Sequence, residues 1–144
     1  MRRSSLLTLL FSVFLLVPRV AAGQVTPYQR IVDRLTGGNE REWIFQAFDE
    51  HLGSDDSCRE GESYRFKTNN TVEIEKCVNR RIVRTQHRWH LALSSTGKAM
   101  LTIGSDTYQA LLYSQRDVQL LRLRKTSPRR PDLTIDKVLR YEQY

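Results

Sequence analysis

The sequence predicts a mainly β protein: a small antiparallel up-and-down β-barrel of seven or eight strands with a short N-terminal helix. Three observations predict it. Seven short segments between residues 41 and 125 carry the period-two alternation or the aromatic and β-branched enrichment of strands. Turn-forming residues separate most of these segments by hairpin-length intervals. A sheet with that many strands would expose two edges unless it closed, and about eight strands close into a barrel that side chains fill or one small ligand occupies.

The elements follow in chain order. Residues 1–23 open with Arg2 and Arg3, run through an apolar block from Leu6 to Val17, meet Pro18 and end in Ala21, Ala22 and Gly23. A positive start, a short apolar middle and a small-residue exit are the parts of a secretory signal peptide. The block is 12 residues long, whereas a bilayer-spanning helix needs about 20. No later stretch is apolar enough to span a membrane. The expectation is an exported chain, periplasmic or secreted, whose residues 24–144 form a single domain.

Residues 26–36 are expected to be a helix. Thr26 can cap its start, Pro27 suits the first turn where no backbone donor is needed, and Gly37 can end it left-handed. Tyr28, Ile31, Val32 and Leu35 form its apolar stripe. Residues 41–49 then read as a strand with both faces largely buried. A loop rich in turn formers leads to the segments SYRFKT and TVEIEKC, joined at Asn69-Asn70 in what the spacing predicts as a two-residue turn. Further strands are expected over 85–94, 98–104, 107–114 and 117–125. Pro128 and Pro131 mark a linker, and residues 132–140 read as a strand or a short helix. The barrel is accordingly bounded at 41–125, with a C-terminal extension over 126–144.

The chain has two cysteines, Cys58 and Cys77. In an oxidising compartment such a pair is expected to form a disulfide, and its 19-residue separation makes it worth about 3 kcal/mol. Charge is uneven. Residues 24–79 hold 7 basic and 11 acidic side chains, whereas residues 80–144 hold 13 and 5. A solvated surface accounts for that asymmetry, and a contact face for an anionic envelope surface is the alternative.

At this point the residues carry a resemblance. A Trp43 strand after a helix and glycine turn, the segment CREGESYRF at 58–66, Cys77 closing the next hairpin, Trp89 in a later strand and a run ending in LLRLRK resemble the small secreted bacterial lipocalin-like (calycin) barrels. Where lipocalins proper carry a glycine two residues before the first-strand tryptophan, this chain has Arg41. The resemblance implies a cup-shaped barrel that binds a small apolar molecule and performs no catalysis.

Motifs for chemistry are sparse. His87 and His90 fall on opposite faces of a strand and cannot share a metal by simple spacing, and His51 stands apart. Asp55, Asp56, Glu60 and Glu62 show only fragments of a calcium loop. No nucleophile elbow is present, and both cysteines are assigned to the disulfide. The expectation is no enzyme, no metal and no cofactor. The basic segment RLRKTSPRR lacks the aromatic pattern of a nucleic-acid module, so no nucleic-acid partner is expected. Asn69-Asn70-Thr71 is a glycosylation sequon whose use depends on the host.

Trp43, Phe45, Tyr64, Phe66 and Trp89 are expected to line the barrel interior, either as a filled core or as the wall of an apolar ligand pocket. A hollow interior implies a carrier. A filled one implies a module that contacts a protein or an envelope surface through its basic C-terminal half.

Overall fold

The computed structural model describes residues 25–49, 57–126 and 134–141. The expected signal segment, Asp55 and Asp56, His51 and the proline linker lie outside the described residues.

One helix, α1 (Pro27–Thr36), precedes eight strands: β1 (Glu40–Gln46), β2 (Glu62–Lys67), β3 (Thr71–Val78), β4 (Arg81–Leu93), β5 (Ala99–Ile103), β6 (Asp106–Gln115), β7 (Val118–Thr126) and β8 (Thr134–Tyr141). Every neighbour pairs antiparallel in sequence order, and β8 returns to β1 at Ile44 and Arg140 to close the barrel. The fold is the expected mainly β, up-and-down barrel.

The helix forms as its termini predict. Thr26 Oγ1 accepts from the Gln29 amide at 3.1 Å, Pro27 opens the first turn, and Gly37 adopts φ 65° while its amide donates to the Asp33 carbonyl. The apolar stripe ends in Leu35, which is buried against the barrel core.

Four local expectations are corrected. β1 stops at Gln46, because Ile44 faces Ser63 and Gln46 faces Glu62, leaving Phe45 as the extra residue of a bulge. The β2–β3 turn has three residues, Thr68–Asn70, with only Asn70 left-handed at φ 62°. β4 begins at Arg81, before the apolar pattern makes it visible. Its partner hairpin instead uses Asn79 and Arg80, both at positive φ, as the two-residue turn. Finally, the undecided eighth element is a strand, so the barrel does not end at residue 125. It continues through Tyr141, and β8 pairs with β7 from Gln119–Tyr141 to Thr126–Thr134.

The ladder explains the long fourth strand. Residues 81–88 of β4 pair with β3, while residues 89–93 pair with β5. The β3–β4 hairpin therefore overhangs the rest of the wall. Near its tip, Cys77 is bonded to Cys58, and Ser57 bridges Arg81. The disulfide ties the overhang to the segment leading into β2.

The outer wall of β1–β3 is a lattice of charge pairs. Arg65 faces Glu42 and Glu73, and Lys67 faces Glu73 and Glu40. These are half-exposed cross-strand pairs, each worth a few tenths of a kcal/mol to about 1. On the wet side of the early sheet these two cations meet three carboxylates.

Candidate functional site

The two ends of the barrel differ. At one end α1 acts as a plug. The Trp43 indole donates to the Leu35 carbonyl at 2.8 Å, and the Trp89 indole donates to the Lys67 carbonyl at 3.0 Å. Arg41, the residue at the lipocalin glycine position, donates to the Arg34 carbonyl at 2.9 Å and to Gln119 Oε1 at 2.6 Å. Its guanidinium lies 4.3 Å from the Tyr141 ring centre. Helix, first strand and last strand are thus locked together by one cation.

The middle of the barrel is solid. Trp43, Phe66, Val72, Leu101, Leu121 and Leu139 have no exposed surface, so no water-sized space adjoins them. Phe66 meets Trp89 edge to face at 6.1 Å. Of the five residues expected inside, Trp43, Tyr64, Phe66 and Trp89 are buried in this core. Phe45 is not among them. The bulge carries it to the rim, where it is 39% exposed.

The opposite end is a cup of about 350 Å³ lined by Tyr64, Ile74, Lys76, Thr85, His87 and Ile103, with Gly104, Ser105, Asp106 and Tyr108 on its far side. Its volume lies at the small end of ligand pockets. Ile74 and Ile103 give it an apolar floor; the rim is polar. His87 sits here, its ring 3.3 Å from Thr85 Oγ1. Gly104 leaves the ring room, since a Cβ there would fall 3.2 Å from His87 Nδ1 and the backbone holds φ 59°.

Behind the Tyr64 wall lies a charged cluster. Tyr64 donates to Glu62 Oε1 at 2.5 Å, and Lys137 donates to the same oxygen at 2.6 Å and to the Tyr64 hydroxyl oxygen at 3.1 Å. Lys76 reaches Glu62 at 3.0 Å. The Lys137 ammonium also lies 4.9 Å from the Phe45 ring and 5.6 Å from the Tyr64 ring. On the facing wall Lys125 is paired with Asp106 and lies 5.9 Å from the Tyr108 ring.

These contacts set the ionisation of the cup. Burial alone would raise the Glu62 carboxyl, but hydrogen bonds from Lys137, Tyr64 and Lys76 hold it below its usual range. Burial pushes the Tyr64 hydroxyl well above the ordinary tyrosine value, and its bond to the Glu62 carboxylate adds to that. Burial and Asp106 raise Tyr108 in the same direction. Both phenols are therefore hydrogen-bonding groups at neutral pH and are unsuited to act as bases. Every buried side-chain polar atom among the described residues has a partner.

Sequence reasoning did not single out Lys76, Tyr108 or Lys137, took Asp106 as a turn residue, considered Lys125 only within the basic segment RLRKTSPRR, and placed Glu62 in a solvated loop. The signal was present in their phase. Glu62 shares the inward phase of Tyr64 and Phe66, Lys76 that of Val72 and Ile74, and His87 that of Trp89 and Leu91. Asp106, Lys125 and Lys137 stand in the same relation to Ala110, Leu123 and Leu139. On six strands the inward row turns from apolar to polar at the same end.

No protein-family model, curated protein or solved structure matches the chain. The closed eight-stranded antiparallel barrel is compatible with a calycin-like fold.

Proposed function

We propose that this is an exported, lipocalin-like binding protein without an enzymatic step, and that its ligand sits in the polar cup at the barrel mouth. The observation that supports this is the division of the interior: a core without space beneath a cup of about 350 Å³. Of the five aromatic residues expected either to fill the core or to wall an apolar pocket, Trp43, Phe66 and Trp89 fill the core in this reading, Tyr64 lines the cup, and Phe45 lies exposed outside the cup's lining. Export is supported by the Cys58–Cys77 bond. Among the described residues, no helix is long and apolar enough to cross a membrane.

The test is residue-resolved NMR of the exported chain titrated with a panel of small ring compounds of differing charge. Shifts gathered at Lys76, His87, Ile103, Gly104 and Tyr108 are expected. Shifts confined to other surfaces, or none at saturating concentrations, would overturn the reading.

A second reading, a module that contacts a protein or an anionic envelope surface, draws on the outer face of β6–β8. There Leu111, Val118 and Val138 are exposed beside Arg122 and Arg124. It predicts retention on anionic vesicles that falls as salt rises, and retention insensitive to salt would count against it.

A further inference from the structure

The charges of the cup do not balance one to one. Glu62 serves two ammonium groups, Lys76 and Lys137, and also accepts from the Tyr64 hydroxyl. Asp106 is matched by Lys125. Among the described residues, two carboxylates of this cluster thus face three ammonium groups, brought together from five strands, with one positive charge in surplus beside the cavity.

The surplus falls on a particular residue. The Lys137 side chain is 22% exposed and holds both Glu62 and Tyr64. The Lys76 side chain is 46% exposed, lines the cup directly and makes its contact to Glu62 alone among the partners described. When Lys76 turns toward a ligand, Glu62 keeps Lys137 and Tyr64 and stays neutralised. The exchange leaves no carboxylate uncompensated, which is the usual penalty for recruiting a paired lysine.

The rest of the cup limits the ligand's body. Ile74, Ile103 and the Tyr108 ring offer apolar contact, and Thr85 and His87 offer hydrogen bonds at the rim. Below, the Tyr64 and Phe66 rings are stacked at 6.5 Å over a core that has no space for a chain. A long acyl tail has nowhere to go. Lys76 is the ammonium group in the cup's lining, which Asp106 also joins; Lys125 and Lys137 stand behind it, held by Asp106 and Glu62.

Resting on the reading of the mouth as the binding site, we propose that the cup takes a compact organic monoanion: one carboxylate on a short apolar or aromatic body, with Lys76 binding the carboxylate. The apolar body lies against Ile74, Ile103 and Tyr108, and the long-chain ligands of a hollow barrel are excluded by size.

The probes are benzoate, benzamide, benzylammonium and dodecanoate, titrated at neutral pH into the exported chain and followed by residue-resolved NMR. Benzoate is expected to shift Lys76, Ile103, Gly104 and Tyr108, with the other three probes weaker by about tenfold or more. Lys76→Gln is expected to weaken benzoate by about tenfold, and Lys76→Arg to restore it. Benzamide or benzylammonium binding as tightly as benzoate would overturn the ligand class and leave the cup standing as a site. Dodecanoate binding more tightly, with shifts at Phe66 and Leu121, would overturn the size limit. An unchanged benzoate affinity in Lys76→Gln, with the spectrum otherwise native, would remove Lys76 from its role. Should none of the four move the cup resonances, the anion proposal and the mouth reading both fall.

Discussion

The indole nitrogen of Trp43 hydrogen-bonds the main-chain oxygen of Leu35 at 2.8 Å, and both residues are buried. Leu35 belongs to the last turn of α1 (Pro27–Thr36), where carbonyls have no partner within the helix. The first strand therefore supplies the acceptor's missing donor and fixes the plug on the barrel in one contact.

Trp43→Phe keeps an aromatic ring in place but strands that carbonyl away from water. The expected loss is about 1–3 kcal/mol, with part of it from the volume removed. Urea unfolding of the variant should show a lower midpoint with an unchanged β-type circular dichroism spectrum. An unaltered midpoint would mean that the plug does not depend on this bond.

The disulfide predicts a second loss. Replacing Cys58 and Cys77 together with serine frees a 19-residue loop, and the unfolded chain should gain about 3 kcal/mol of stabilisation from its restored freedom. Amide exchange should rise most in the overhanging hairpin around Asn79 and Arg80. Thiol titration of the unfolded, unreduced wild-type chain should find no free thiol.

Gly61 and Phe48 form a matched pair. The backbone at Gly61 holds φ 142°, and a Cβ there would fall 2.1 Å from a Phe48 ring carbon. Gly61→Ala should destabilise by about 1–3 kcal/mol through clash and backbone strain together. In a Phe48→Ala background the same change should cost less, because only the backbone strain is left. A double-mutant cycle without coupling would refute the contact.

Acid should unfold the protein in part through Asp136. Hydrogen bonds from Arg122, then Arg124, hold its carboxyl down to about 2, from an ordinary value of 3.8. A depressed folded value means that this stabilisation is complete above the unfolded value and is lost as pH falls through the folded one. The stability gap between wild type and Asp136→Asn should therefore be constant near neutrality. It should narrow as pH falls from about 4 to 2. A gap that widens on acidification would contradict the sign.

Much of the barrel was legible along the chain. Alternation in SYRF, TVEI and LLRLR marked strands because a two-sided sheet leaves one face in the core and one in water. The helix was legible from Thr26, Pro27 and Gly37, since capping is local chemistry. The first four residues of β4, 81–84, were not, because they lie in the part of the strand that pairs with β3 and not β5 and carry no apolar row to reveal them. β8 stayed ambiguous for a related reason: TIDKVLRY has Leu139 as its one buried residue, and the neighbours β7 and β1 make it a strand.

The candidate site divides along the same line. Residue order alone determined which side chains share a face, and so which are able to enter the barrel together. Only the tertiary structure decided that Phe45 leaves the interior at a bulge, and that Glu62, Lys76 and Lys137, distant in sequence, meet on one carboxylate. Period-two geometry is a property of a single strand. The stagger of eight strands around a closed wall, and hence the level at which each polar residue stands, is a property of all of them at once.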